Sequence, residues 1–297
     1  MRTIFLGTSE FAATILERLA GSPHRPTLVL TRPDRPRGRG RRLAAPPVAD
    51  AARRLGLELE QPEDVNGETT RARISDERPD AVCVCAFGAL IKEPLLSAHP
   101  MLGVHPSLLP RWRGAAPVER AIMAGDRDTG VSIMQLTAGL DSGPVSARRR
   151  EPIVDQDTYG TLAPRLAEIG GELLVGVLDE QPAPVEQDEA GVTYAEKITP
   201  ADRELQPELP AAQLERTVRA LAPHIGAFVS TERVGRIGVI SARVGEGEDP
   251  APGTLSLEGR LPVLGCSEGA LELVTVQPPG GRPMSGEDYL RGHRSRQ

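Results

Sequence analysis

The sequence predicts an α/β protein, with a doubly wound, mostly parallel sheet in the first 180 residues and a smaller β-barrel after it. Three observations carry that expectation. Short apolar runs alternate with helical patterns through the first half, which is how a parallel sheet with crossover helices reads. The run from Asp80 to Phe87 has no charge after Asp80, as a strand buried on both faces requires. After Asp179 the chain becomes polar and proline-bearing, then breaks into short strand-like runs.

Taken in order, Thr3 to Leu6 is an apolar strand that ends at Gly7-Thr8-Ser9. Thr8 or Ser9 can cap the helix expected from Glu10 to Leu19. Thr27 to Leu30 is a second strand, Thr31 to Pro47 a basic Pro/Gly-rich loop, and a helix follows to about Leu55. Leu102 to His105 is a short strand, Pro117 to Ala124 a helix, and Gly130 to Leu136 alternates as a strand. Thr158 to Leu178 places Leu162, Leu166, Ile169, Leu173, Leu174 and Val177 on one helical stripe. Residues 181–206 read as a linker between a first domain at 1–180 and a second domain at 207–297. In the second domain a helix from Ala211 to Leu221 precedes strand-like runs at Ala227 to Thr231, Arg236 to Val244, Gly253 to Leu257, Pro262 to Cys266 and Ala270 to Gln277. Their spacing, with Gly and Pro between, suggests the barrel.

Composition narrows the class. Aromatics are only 3% of the chain against 39% hydrophobic residues, so the core must be aliphatic. The net charge of −6 argues against a uniformly basic nucleic-acid coat but allows a local basic patch. Cys83 and Cys85 share one face of a predicted strand, no CxxC spacing exists, and Cys266 stands alone, so buried free thiols are expected and no metal. The N-terminus reads as a strand rather than a signal peptide, and no run is long and apolar enough for a membrane helix. A soluble, cytoplasmic monomer with no membrane partner is expected. The turn Gly7-Thr8-Ser9-Glu10-Phe11-Ala12 is not a dinucleotide fingerprint, and there is no phosphate-binding P-loop and no serine nucleophile elbow.

One stretch stands out, Gly103-Val104-His105-Pro106-Ser107-Leu108-Leu109-Pro110-Arg111-Trp112-Arg113-Gly114-Ala115-Ala116-Pro117. It is a strand end running into an irregular loop that carries one His, where open α/β sheets place their chemistry. Leu140-Asp141-Ser142-Gly143 follows the strand at 130–136, at another carboxyl end of the same sheet, within reach of a His on a neighbouring strand. By local pattern alone His105 reads as a structural residue and Asp141 equally as a turn residue before Gly143.

These residues resemble those of the methionyl-tRNA formyltransferase family, which shows an Asn-x-His loop, Ser-Leu-Leu-Pro, Arg-Gly-Ala-Ala-Pro and Gly-Leu-Asp-x-Gly. The match holds at His105, Ser107 to Pro110, Arg113 to Pro117 and Gly139 to Gly143. Thr31 to Pro36 and Met284 to His293 also look like family segments, so the resemblance is essentially full length. It implies a formyltransferase that uses 10-formyltetrahydrofolate as co-substrate and methionyl initiator tRNA as acceptor. It implies His105 and Asp141 as catalytic residues, Ser107, Leu108, Leu109 and Pro110 as folate contacts, and Phe87, Gly88 and Leu90 as lining of the folate pocket. It further implies an OB-like, tRNA-binding C-terminal domain. Formyl transfer needs an oxyanion donor, a proton shuttle and an orienting acid. The chain departs from the family at one catalytic position, where Gly103 replaces the Asn that helps bind the formyl oxygen. Loss of one such donor typically costs on the order of 10²–10³ in rate. A backbone N–H or water can substitute, the enzyme can be slow, or the chain can bind tRNA without turnover.

Arg32, Arg35, Arg37, Arg39, Arg41 and Arg42 stand within eleven residues, with Asp34 the only acid among them. In an acidic chain, arginines interspersed with Gly and Pro read as a phosphate-facing loop. The resemblance implies that this loop probes the acceptor stem, with Arg39 at the key position. Two other functions compete at this stage: a sugar-nucleotide N-formyltransferase, which shares the catalytic loop, and a catalytically impaired tRNA-binding homologue.

Overall fold

The computed structural model describes residues 1–37, 42–231, 235–247 and 250–294. The chain divides into two compact units: Met1–Gly114 with Asp128–Pro152 and Ala163–Tyr194, and Ala115–Arg127 with Ile153–Leu162 and Ala195–Gln297.

The first unit is built on seven strands: β1 (Thr3–Gly7), β2 (Pro26–Leu30), β3 (Leu59–Glu60), β4 (Ala81–Cys85), β5 (Met101–His105), β6 (Asp128–Gln135) and β7 (Val145–Pro152). They lie in the order β7-β6-β5-β4-β1-β2-β3. From β3 to β5 every neighbouring pair is parallel, while β6 runs antiparallel to both β5 and β7. The predicted doubly wound, mostly parallel sheet is therefore present. The sequence reading missed β3, too short to show a period, and β7, whose run Arg148-Arg149-Arg150 is exposed and gives no buried alternation.

The central strands are apolar because both faces are covered. Ile4, Phe5, Leu6, Leu28, Val29, Leu30, Val82 and Cys83 have no exposed surface. Helix α1 (Glu10–Ala20) starts where Ser9 accepts a hydrogen bond from the Ala12 amide, and it buries Ala12, Ile15, Leu16 and Leu19. Helix α2 (Pro47–Leu55) begins with Pro47 in its first turn and ends at Gly56 in the left-handed region (φ 64°), a position that favours glycine. The cysteines are free and buried, and burial pushes the Cys83 thiol up to about 12.

Edge strand β3 is tied down by charge. Arg73 of helix α3 (Glu68–Asp76) reaches Glu60 at 2.9 Å, Glu58 at 2.5 Å and Glu77 at 2.6 Å. Glu77 also takes Arg2 at 2.8 Å, and the two guanidinium groups, Arg2 foremost, hold its carboxyl down at about 2.

The second unit contains helix α4 (Pro117–Ala124) and the start of α5 (Tyr159–Glu180), then α6 (Ala211–Leu221). Six strands follow: β8 (Ala227–Thr231), β9 (Gly235–Val244), β10 (Leu255–Ser256), β11 (Val263–Gly265), β12 (Ala270–Gln277) and β13 (Met284–Ser285). They form one antiparallel sheet, ordered β8-β9-β12-β11-β10 with β13 on β12. Ala211, Leu214, Val218 and Leu221 recur at helical spacing and pack with Val229, Ile237, Val239, Leu271, Leu273 and Val276 in a dry aliphatic core. A closing helix α7 (Gly286–Arg294), not expected from the sequence, adds Tyr289 and Leu290 to it. No helix among the described residues is long and apolar enough to cross a membrane.

Because the folded-state carboxyl of Glu77 sits below its ordinary value of 4.5, its contribution is full above that pH and is lost as pH falls towards about 2. Glu77→Gln should cost on the order of 1 kcal/mol at pH 7, after allowance for the solvent around Arg2. Urea titrations of parent and variant should converge as the pH is lowered from 4.5 to 2; a constant difference across that window would contradict the assignment.

Candidate active site

Strand β5 ends in His105, which is only 6% exposed. The loop behind it is fixed by one side chain of the neighbouring strand. Ser132 of β6 accepts from the Leu109 amide (3.1 Å) and donates to the Ser107 carbonyl (2.7 Å), and Ser107 donates its own hydroxyl to the Arg111 carbonyl (2.6 Å). The chain then turns through Trp112, whose φ of 65° is left-handed. That turn aims the Trp112 carbonyl at His105 Nε2, 2.8 Å away. A carbonyl only accepts, so Nε2 carries a proton and Nδ1 is the nitrogen free to exchange one.

Asp141 faces that free nitrogen. Its Oδ2 lies 3.6 Å from His105 Nδ1, a charge contact rather than a hydrogen bond, and accepts from the Gly114 amide at 2.8 Å. The sequence placed Asp141 beyond another carboxyl end of the sheet. It does follow β6, but β6 is antiparallel to β5: Leu102 pairs with Gln135 and His105 with Ser132. The 137–144 loop therefore leaves the sheet level with the start of β5 and returns towards His105. Asp141 takes a left-handed φ of 45° within that return. Its carbonyl and that of Gly143 both accept from Gln187 Nε2, at 2.8 Å each.

Gly103 stands two residues before His105, opposite Met134. A Cβ placed on it would lie 2.6 Å from Leu136 Cδ1 and 3.2 Å from Met134 Cε. Apolar side chains of β6 and the residue after it occupy the space where a side chain at 103 would begin.

Two cavities adjoin this constellation. One of about 260 Å³ is lined by Phe87, Gly88, Leu90, Leu136, Leu140 and Asp141, among others. Leu90 and Leu140 are exposed at 70% and 61%, which makes its rim apolar. A second, of about 340 Å³, is lined by Thr8, Ser9, Arg32, Arg35, Phe87 and Gly88 among others, so the two share Phe87 and Gly88. Ser107, Leu108, Leu109 and Pro110 line neither; Ser107 and Leu109 are buried in the loop itself. Arg35 to Arg37 pair antiparallel with Arg42 to Ala44, and Arg35 and Arg42 are exposed. Arg39 and Arg41 lie outside the described residues.

The sequence brought His105, Asp141, Gly103, Phe87, Gly88 and Leu90 to one place, but it gave no role to Ser132, Gln187 or Thr193. Thr193 receives the Trp112 amide on its hydroxyl (2.9 Å) and the Arg113 amide on its carbonyl (2.9 Å). Each of the three acts from 23 to 81 residues away in sequence, and no local pattern marks such a partner. Ser132, standing between Val131 and Ile133 in its strand, was the one available signal.

A strand-end His in a mostly parallel α/β sheet thus faces an Asp from an adjacent loop, and comparison with known families shows what such a chain is similar to. Residues 1–178 match the family described as formyl transferase, and residues 197–294 match the formyl transferase C-terminal domain. The methionyl-tRNA formyltransferase of Halorhodospira halophila is 45% identical over 302 aligned positions, covering 99% of this chain and 96% of that protein. That of Gluconobacter oxydans is 42% identical, covering 98% and 97%. Among solved structures, the methionyl-tRNA formyltransferase from Clostridium thermocellum superposes with a TM-score of 0.62 at 15% identity, covering 84% of this chain and 95% of its own. HypX from Aquifex aeolicus in complex with tetrahydrofolic acid gives 0.64 at 19% identity, covering 98% of this chain and 47% of its own. The chain belongs to the formyl transferase family, in its methionyl-tRNA formyltransferase branch.

Ser132→Ala removes the hydroxyl that satisfies two buried backbone groups of the His105 loop. It should cost about 2–4 kcal/mol, read as a lowered urea midpoint. Ser142→Ala is the control, since its hydroxyl has only a long contact to Thr137 at 3.5 Å. Equal midpoints for the two variants would show that the loop does not depend on Ser132.

Proposed function

We propose that this chain transfers the formyl group of 10-formyltetrahydrofolate to the α-amino group of methionyl initiator tRNA. The observation that carries the reading is the polarised His105: Nε2 is committed to the Trp112 carbonyl and Nδ1 faces Asp141, which itself lines the 260 Å³ cavity. The relatives at 42–45% identity over nearly the whole chain support the substrate pair.

The α-amino group has an ordinary pKa near 8, so roughly a fifth of it is neutral at about pH 7.4. It attacks the formyl carbon, the new C–N bond forms, and the carbonyl electron pair moves onto oxygen. Protonated His105 offers Nδ1–H to that oxyanion, and Asp141 balances the imidazolium charge. The acceptor nitrogen then gives up a proton, the bond to N10 of the folate breaks, and N10 gains a proton. The products are N-formylmethionyl-tRNA and tetrahydrofolate, and His105 ends as it began. Gly103 offers no side-chain amide, so His105 carries the oxyanion interaction without the family's second donor.

In this reading the 260 Å³ cavity takes the folate, with Phe87, Gly88 and Leu90 against its ring system, while the Ser107 to Pro110 loop, which lines neither cavity, supports His105. Arg32 and Arg35 flank the neighbouring cavity, where the acceptor end enters, and the sequence carries further arginines for the tRNA at 37, 39, 41 and 42. Residues 1–180 carry the chemistry, 181–206 connect, and 207–297 bind tRNA. The chain then works as a translation-initiation enzyme of the cytoplasm.

The decisive assay is formylation of charged initiator tRNA with 10-formyltetrahydrofolate. The parent should be active and His105→Ala should lose at least ~10³-fold in kcat. Gly103→Asn should gain little by itself, because Leu136 Cδ1 lies 2.6 Å from the new Cβ. Gly103→Asn combined with Leu136→Ala should exceed it by about tenfold or more. A parent that is inactive on charged tRNA yet formylates an amino-sugar nucleotide would replace this reading.

Arg32→Ala and Arg35→Ala should each reduce the salt slope of kcat/KM for tRNA by about one, with the KM for folate within about twofold. A matching loss in folate KM would remove these arginines from the tRNA surface.

A further inference from the structure

Gln187 lies in the stretch that the sequence marks as linker, yet it is only 7% exposed and its carboxamide makes three hydrogen bonds. The path of the chain explains how it arrives. Val145 and Val185 exchange both backbone hydrogen bonds, at 2.8 and 2.9 Å, in an antiparallel bridge. Residues 185–187 thus run back along residues 141–145. Gln187 Nε2 has two hydrogens, and they go to the carbonyls of Asp141 and Gly143, at 2.8 Å each. Its Oε1 accepts from Arg113 Nε at 3.0 Å. Two carbonyls on one side and a guanidinium on the other fix which end of the carboxamide is nitrogen. Arg113, 3% exposed, is held in turn by Glu189 at 3.0 Å.

The arrangement closes a ring around the catalytic acid. Gln187 holds the backbone of Asp141, and the residue after Arg113, Gly114, holds its carboxylate through the 2.8 Å amide bond. Asp141 sits at φ 45°, in the left-handed region that Asp enters more readily than most L-residues but still at a cost that neighbouring contacts help to offset. Removing the two N–H donors leaves the Gly143 carbonyl unsatisfied in a buried place and the Asp141 carbonyl in a part-buried one, and the loop relieves that by moving. The carboxylate moves with it, away from His105 Nδ1.

We propose that Gln187 is a positioning residue that holds Asp141 against His105, so that the 181–206 segment is a structural part of the catalytic centre rather than a tether. The proposal rests on the formyl-transfer reading above for its kinetic consequence, but not for its geometric one.

The test is a double-mutant cycle read by kinetics and by hydrogen exchange. Gln187→Met should lower kcat about 10- to 100-fold in the parent, with the KM for charged initiator tRNA and for 10-formyltetrahydrofolate within about twofold. Gln187→Glu, which keeps an acceptor for Arg113 and loses both donors, should match it. In an Asp141→Asn background, Gln187→Met should change kcat by less than about twofold, because the residue acts through the carboxylate already removed. Exchange of the Gly114 amide, which donates to Asp141, should quicken at least about tenfold in Gln187→Met. An equal fall in both backgrounds, an unchanged kcat in the parent, or unchanged Gly114 protection would each overturn the proposal. If the parent itself forms no N-formylmethionyl-tRNA, the functional reading fails separately, and the Gly114 exchange still decides the role of Gln187.

Discussion

The site depends on one hydrogen bond, from His105 Nε2 to the Trp112 carbonyl at 2.8 Å. It decides which nitrogen can exchange a proton, and so which direction the imidazole works in. The carbonyl reaches His105 only because Trp112 is left-handed at φ 65°, a conformation that costs an L-residue roughly 1–2 kcal/mol. The surrounding contacts offset that cost. Thr193 takes the amides of Trp112 and Arg113, and the Arg111 guanidinium lies 4.3 Å over the indole ring. The Arg-Trp-Arg run is thus a scaffold for the histidine, through the backbone of Trp112 and Arg113 and the side chain of Arg111.

Given that histidine, the direction of β6 sets the rest. An antiparallel neighbour puts Ser132 opposite His105 and Met134 opposite Gly103. Ser132 can then satisfy the loop while Met134 and Leu136 close over the glycine. A parallel strand in the same slot would send residues 137–144 off beyond His105, and Asp141 would approach from the other side. The antiparallel run is what lets a loop return across the sheet and present its carboxylate to Nδ1. Gly103 belongs to the same packing: Leu136 and Met134 fill the space where a side chain there would begin.

Much of this was legible in the sequence, for identifiable reasons. The parallel strands announce themselves because both faces are buried, so Ala81 to Cys85 and Thr3 to Leu6 are charge-free. The helix from Ala211 to Leu221 shows its apolar stripe and occurs as expected. His105 and Asp141 were marked by motif and lie together. The strand from Val145 to Pro152 was not legible, because at the sheet edge its exposed arginines carry no period. Nor was the direction of β6, since an alternating strand looks the same in either orientation. The residues that brace the site were hidden for a third reason: a hydrogen bond between positions 74 residues apart, as between Arg113 and Gln187, leaves no local trace.

That last class of residue changes what the chain between the two family matches is for. Polar composition and three nearby prolines make 181–206 read as a spacer, and spacers tolerate replacement because their backbones are solvated. Here part of that segment is solvated and part is not. Val185 pairs with Val145, Gln187 is buried, and Thr193 bonds to the loop that orients His105. The wall of the site is therefore assembled from three stretches, 105–114, 132–145 and 185–193, and the third braces both the loop behind His105 and the backbone of Asp141. A substitution in 185–193 should be judged by its buried hydrogen bonds rather than by the flexibility its composition suggests.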